Sequence, residues 1–272
     1  MARGDTQATE PIPDGTRSTA PPQPRRVWPW IVAFAIVAVL AVAAWFAAEA
    51  IARQIVTGVV RDQVRTQLSL PADHPVDVDV AGAVIPQLIS GSIDDLTIAS
   101  DDVTLGGVTG DVTVTAHDVA VRGTGEMSGA TATVSLDESQ LRTLLATVEG
   151  LPSDSVGLAA PNVTMSIDLQ LFGASIPVGV ALAPSAVDGA IVLTPAAFRL
   201  GESEVTADAL RSQFGGLADI VLREWNVCIA QYLPSGVTLT SVEVTGDVLV
   251  ADFDVDGAIA TDPALQENGT CA

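Results

Sequence analysis

The chain has 272 residues, 48% of them hydrophobic, and a net charge of −21 at neutral pH. That is enough chain for one large domain or two small ones, and so acidic a protein repels nucleic acid and anionic membrane surfaces. All 12 basic residues are Arg and only 4% of residues are aromatic, so a core must be built from Val, Ile, Leu and Ala.

Residues 1–26 are rich in Pro, with Thr, Gln and Asp and almost no large apolar side chain. The composition predicts a disordered tail. Residues 27–48, VWPWIVAFAIVAVLAVAAWFAA, carry no charge. As a helix they would reach roughly 33 Å at about 1.5 Å per residue, enough to cross a bilayer core of about 30 Å. Trp28, Trp30 and Trp45 sit near the ends of the run, where interfacial aromatics are expected. Arg25 and Arg26 precede the run and Glu49 follows it, so the positive-inside rule predicts a single-pass anchor with a cytoplasmic tail and residues 49–272 outside the cell. A cleaved signal peptide, cut near Ala48-Glu49-Ala50, is the competing reading; the run exceeds the 7–15 residues of a usual signal core.

The next stretch, AEAIARQIVTGVVRDQVRTQL (48–68), spaces Ile51, Ile55, Val59 or Val60, Val64 and Leu68 at a helical period and puts Arg53, Arg61, Asp62 and Arg65 on another face. It predicts an amphipathic helix continuing from the span and ending at Leu70-Pro71. From there the period is two. VDVDV (76–80), LTIAS (96–100), DVTVTAHDVAV (111–121), ATATVSL (130–136), NVTMSIDLQL (162–171) and ASIPVGVAL (174–182) alternate, as half-buried antiparallel strands do. The last two are expected to be joined by a turn at Phe172-Gly173. Pro86 to Gly91 is read as a short apolar turn leading into the strand at LTIAS, with the pairs Asp94-Asp95 and Asp101-Asp102 at the ends of that strand.

Two further helices are expected. LDESQLRTLLATV (136–148) has Ser135 as a cap candidate with Glu138 three residues on. TADALRSQFGGLADIVLREW (206–225) carries Leu210, Phe214, Leu217, Ile220, Val221 and Trp225 as its apolar stripe, with a bend at Gly215-Gly216. VTLTSVEVTGDVLVADFDVDG (237–257) closes as a hairpin around Gly246-Asp247. The predicted fold class is therefore α+β: a long, curved antiparallel sheet wrapped around helices, forming one domain over 49–272.

Catalytic and metal-binding patterns are scarce. DFDVDG (252–257) opens like a calcium loop, but the twelfth position holds Pro263 where a bidentate Glu is needed. Alternation with Phe253 and Val255 favours a strand with one wet face, and no metal site is expected. The two acidic pairs stand roughly 20 Å apart along an extended chain, at about 3.3 Å per residue. That is too far for a carboxylate dyad, which needs about 5–10 Å. No nucleophile elbow, phosphate-binding loop or H-E-x-x-H helix occurs, and neither His74 nor His117 has a triad partner by pattern. No catalytic residue, no cofactor and no enzymatic activity are expected. The two cysteines, Cys228 and Cys271, form an even pair; outside the membrane they are expected as a disulfide.

The run GAVIPQLISGSIDDLTIASDDVTLGGVTGDVTVTAHDVAV (82–121), and the closing WNVCIAQYLPSGVTLTSVEVTGDVLV with its terminal GTCA, resemble the LmeA-like phospholipid-binding family of actinobacterial cell-envelope proteins. The resemblance covers nearly all of 49–272. It implies a tubular lipid-binding fold, in which long strands wrap a long helix around an apolar cavity. It also implies phospholipid binding in the envelope and, for some members, support of lipoglycan assembly. The apparent anchor departs from a freely shuttling carrier. The lipid-lining residues expected on this reading are Ile55, Val59, Leu88, Ile89, Met165, Ile167 and Leu169. Residues 49–272 carry 8 Arg against 30 acidic residues, a net −22, so burial of acyl methylenes, about 0.8 kcal/mol each, rather than headgroup attraction must supply affinity. The alternative is a non-catalytic scaffold for envelope-assembly enzymes, which predicts a filled core and no lipid.

Overall fold

The computed structural model describes residues 28–271 except 69, 106–107, 123–124, 126, 147–152, 172–173, 202 and 217–221. The chain divides into two compact units, Met1–Phe46 and Ala47–Ala272. In the first, the expected tail at 1–26 lies outside the described residues, and residues 28–46 are helical. They belong to α1, Trp28–Gln67, which holds the one stretch among the described residues long and apolar enough to cross a membrane.

The second unit is α+β with antiparallel sheets, as the alternating runs predict. Sheet A has the order β1 (Asp77–Val80), β2 (Ser92–Leu105), β3 (Val108–Ala120), β4 (Gly129–Asp137), β12 (Val248–Asp256), β11 (Val237–Thr245). Sheet B has the order β10 (Trp225–Cys228), β8 (Ala190–Leu200), β7 (Ala174–Val187), β6 (Asn162–Leu171), β5 (Gly157–Ala159), with β9 (Ser203–Thr206) also paired to β8. Neither sheet closes on itself.

Every strand of sheet A except β1 is long, and their register keeps one face apolar. Val80, Leu96, Ala116, Ala130 and Val255 lie across the sheet in one row, and Val78, Ile98, Val114, Ala132, Phe253 and Leu239 in the next. Two bodies cover that face. Near β1 and β2 it is the lower half of α1: Ala52, Val56 and Val60, one helical turn apart, pack on a cluster of Val80, Val84, Ile93 and Leu96. Near β4, β12 and β11 it is sheet B: Met165, Val180, Leu182 and Phe198 interlock with Leu136, Leu239, Val244, Leu249 and Phe253. Leu182 and Val156 in this second cluster are fully buried.

The arginines on the other flank of α1 explain how so short a strand as β1 holds the sheet edge. Arg65 donates to the His74 carbonyl (2.6 Å), Arg61 Nε to the Val76 carbonyl (2.7 Å), and Arg53 to the carbonyls of Val80 and Gly82. These side chains act as the missing next strand, satisfying edge acceptors that would otherwise be left open. The order of the contacts shows that β1 runs antiparallel to α1, so the chain climbs back to the Glu49 end as it reaches Gly82.

Pro86 to Gly91 differs from the sequence expectation. It is not a turn but most of a short helix, α2, Val84–Ser90. The signal was hidden because its cap comes from afar. Ala83, at the N-cap, offers no side-chain acceptor; Glu49 instead accepts from the N–H groups of Val84 and Ile85 (3.1 Å for Ile85), and the next residue, Pro86, has no N–H to satisfy. Gly91 ends the helix in the left-handed conformation that a side chain would strain. The four aspartates also differ. Asp94-Asp95 and Asp101-Asp102 lie inside β2, not at its ends, because a register shift between Ser100 and Val103 absorbs the second pair. Asp102 sits there at φ 53°, its N–H bonded to Asp111.

Two helix boundaries move as well. α3, Glu138–Leu145, is capped by Asp137 rather than Ser135, because Ser135 is still paired in the sheet while the Asp137 carboxylate accepts from the Gln140 N–H and the Gln140 side chain returns the bond. The Gln140 N–H first, and then the Ser139 hydroxyl, hold the Asp137 carboxyl below the usual carboxylate range. α4, Ala207–Phe214, stops at Gly215, and Trp225 opens β10 instead of ending a helix. Leu217, Ile220 and Val221 lie outside the described residues, as does the turn at Phe172-Gly173. The Cys228–Cys271 disulfide is formed and pins the end of the chain to β10.

Candidate functional site

The two buried clusters on the apolar face of sheet A are separate. Between α1 and sheet B lies β3, whose apolar residues Val112, Val114 and Ala116 belong to neither buried cluster and are half-exposed. Their neighbours in register are equally half-covered: Ile98 on β2, and Ala132 and Val134 on β4. The result is a partly exposed strip centred on Val112, Val114 and Ala116, with Ile98 packed on the cluster beneath α1 to one side and Ala132 and Val134 packed on the cluster between the sheets to the other. Antiparallel sheets ordinarily leave one face to water, but that face here is the other one, with Thr97 hydroxyl-bonded to Thr115 (3.2 Å) and Thr133 to Asp252 (2.8 Å). An incompletely covered aliphatic strip on the core side of a sheet has the chemistry for holding an alkyl chain.

The seven sequence-predicted lining residues are not assembled at one place. Leu88, on α2, packs against the cluster beneath α1. Ile55 and Val59 share an exposed ladder with Ile51 on α1, and Ile89 is 72% exposed on α2. Met165 is only 2% exposed, in the cluster between the sheets, and it borders the concavity of about 470 Å³ described next. The side chains of Ile167 and Leu169 lie outside the described ones; their backbones pair with Val178 and Ile176. Val112, Val114 and Ala116 are not among the seven. Their alternation marked them as strand residues, but which half of a sheet is left uncovered depends on how far α1 and sheet B reach.

A second concavity, of about 470 Å³, lies on the outer face of sheet B among Thr164, Ser166, Gly179, Ala181 and Ala197. It owes its depth to small side chains, and an Arg199–Glu204 ion pair (2.8 Å) crosses its rim. Its lining mixes polar and small groups with Met165, Val180 and Phe198.

The acidic motifs are absorbed by the fold. Asp252 accepts from Thr133 and from Ser241 (2.8 Å each), and Asp256 caps the turn that begins at Gly257. His117 Nδ1 pairs with Asp95 (2.7 Å) on the exposed polar face, and His74 bonds the buried Ser100 hydroxyl (3.1 Å), which itself donates to the Pro75 carbonyl. Among the described residues, no three His, Cys, Asp or Glu side chains converge to hold a metal.

No curated protein and no solved structure matches the chain. The family described as LmeA-like phospholipid-binding matches it over residues 47–253, which takes in α1 below the apolar run, both sheets and the strip between them. The chain belongs to the LmeA-like phospholipid-binding family.

Proposed function

We propose that this is a membrane-anchored, extracytoplasmic phospholipid-binding protein that lays an acyl chain along β3, over Val112, Val114 and Ala116, and serves lipid or lipoglycan homeostasis of the cell envelope. The observation that carries the reading is the strip itself: aliphatic, half-exposed, and on the side of the sheet that is otherwise core. Family membership supports lipid as the occupant and a binding role rather than catalysis. The uncharged run at 27–48 supports the anchor, and Arg25 and Arg26 before it support a cytoplasmic N-terminus.

The test is to purify the full chain in detergent, extract it with organic solvent and look for co-purified phospholipid by mass spectrometry. A fluorescent phospholipid titration then gives stoichiometry. Retention of about one lipid per chain is expected, and failure to bind any after reconstitution with bacterial phospholipids refutes the proposal.

A further inference from the structure

The strands place one end of the second unit by name. β1 rises to Gly82 beside Arg53 and α2 follows; β3 ends beside α2, with the Val121 N–H bonded to the Gly91 carbonyl (3.0 Å). Arg122 donates to the Leu88 carbonyl at the C-terminal turn of α2 (2.9 Å). The other end of α2 is bonded to Glu49, the third residue of the unit and the first charge after the apolar run. A bilayer that holds that run ends within about one helical turn of Glu49, at about 1.5 Å per residue. α2 therefore stands beside the point where the chain leaves the membrane.

What α2 and its neighbour present there is unusual for a surface. Ile89 is 72% exposed, Val121 is 38% exposed and Pro86 is exposed, although water offers none of them a partner. Arg122 stands exposed next to them. Apolar tips beside an arginine suit the zone between headgroups and acyl chains, where the stem is buried and the guanidinium reaches phosphate. Buried Gln87 makes the mount rigid: its amide donates to the Ala81 carbonyl (2.7 Å) and accepts from the Asp94 N–H (3.2 Å).

We infer that α2 is a membrane-docking wedge: Ile89, Pro86 and Val121 insert into the headgroup zone of the same leaflet the anchor leaves, with Arg122 on its phosphates. Asp94 and Asp118 are exposed nearby and oppose an anionic surface, so the contact rests on apolar insertion and holds on a zwitterionic leaflet.

Both native cysteines are in the disulfide, so a single added cysteine can carry a polarity-sensitive dye. Full-length Ile89→Cys is labelled and reconstituted into phosphatidylcholine vesicles with brominated acyl chains. Asp247→Cys, on the exposed β11–β12 hairpin at the opposite end of sheet A, is the control. A quenching ratio for position 89 at least threefold above that for position 247, with a blue-shifted emission, is the expected result. Equal quenching at the two positions overturns the inference. So does full quenching in detergent by one equivalent of brominated phospholipid with no increase in vesicles, which assigns the contact to a carried lipid. Adding Val114→Asp, which tests the strip on β3, leaves the vesicle signal unchanged, so the two readings fail separately.

Discussion

Placing a charge on the floor of the strip separates lipid binding from folding. Val114 lies at the centre of the strip, partly exposed, between Ile98 and Ala132. Full burial of a valine side chain stabilises by about 1.5–3 kcal/mol, so the roughly one third or less of Val114 that a bound chain can still cover contributes at most about 1 kcal/mol. In Val114→Asp that contribution is lost, and the carboxylate keeps its hydration by holding off about two acyl methylenes, another 1.6 kcal/mol or so at about 0.8 each. The sum, at most about 2.5 kcal/mol, is a factor of up to about 60 in Kd. The control is its chain neighbour, Thr113→Asp, which pays the same strand-propensity penalty on the exposed polar face. Fluorescent phospholipid titration of both variants, with a denaturation midpoint for each, reads the outcome. Thr113→Asp is expected within about twofold of the parent. Equal affinities for the two variants, or a Val114→Asp loss that tracks its fall in midpoint, refute the seam as the binding surface.

Other consequences can be checked on the same material. The Val84 and Ile85 N–H groups, and then Arg53, hold the Glu49 carboxyl below the usual carboxylate range. Its stabilising effect is therefore present above the unfolded value of about 4.3 and is lost as pH falls through the folded value. Denaturation midpoints followed from pH 6 to pH 3 should fall more steeply for the parent than for Glu49→Gln, and parallel curves would remove Glu49 from the mount of α2. Cys228 and Cys271 close 44 residues, for which loop entropy gives about 4 kcal/mol. Calorimetry of the Cys228→Ser, Cys271→Ser double variant should show Tm lower by about 8–16 °C, at about 2–4 °C per kcal/mol for a domain of this size, and a fall under about 3 °C contradicts the argument. At Gly257 an added Cβ would lie 2.0 Å from the Met127 carbonyl oxygen. Backbone must move to admit it, so Gly257→Ala should lower stability by about 2 kcal/mol in guanidinium unfolding, whereas Gly246→Ala meets no atom and is strained only by its φ of 64°.

Local pattern carried most of the element list. β6 occupies Asn162–Leu171, the run whose alternation announces it, and the β11–β12 hairpin turns at Gly246-Asp247. Where reading failed, the deciding partner was distant. Val84–Ser90 has a proline at its third position and no local cap, and becomes a helix because a carboxylate 35 residues earlier supplies one. β8, AIVLTPAAFRL, has an irregular pattern with Pro195 inside it; β7, β9 and β10 pair with it, and Leu193 and Phe198 are buried. The site was less legible than the fold. Hydrophobicity ranks Met165 above Ala116, yet Met165 is buried in the cluster between the sheets and Ala116 is only partly covered, a distinction set by which parts of sheet A the covering bodies reach. Ile55, Val59 and Ile89 were correctly marked as apolar, but burial does not follow from composition, and all three face outward.

The arginine contacts along β1 have an implication for any soluble version of this protein. Removing only the apolar run keeps the folded unit whole, because the unit begins at Ala47. Starting the chain at Leu68 would strip Arg53, Arg61 and Arg65 from their carbonyls, uncap α2 and uncover Val80 and Leu96. The stretch just outside the membrane is thus no tether of adjustable length. It is a wall of the domain, and losing it would open the cluster of Val80, Val84, Ile93 and Leu96 while leaving the cluster between the sheets without any α1 contact to lose.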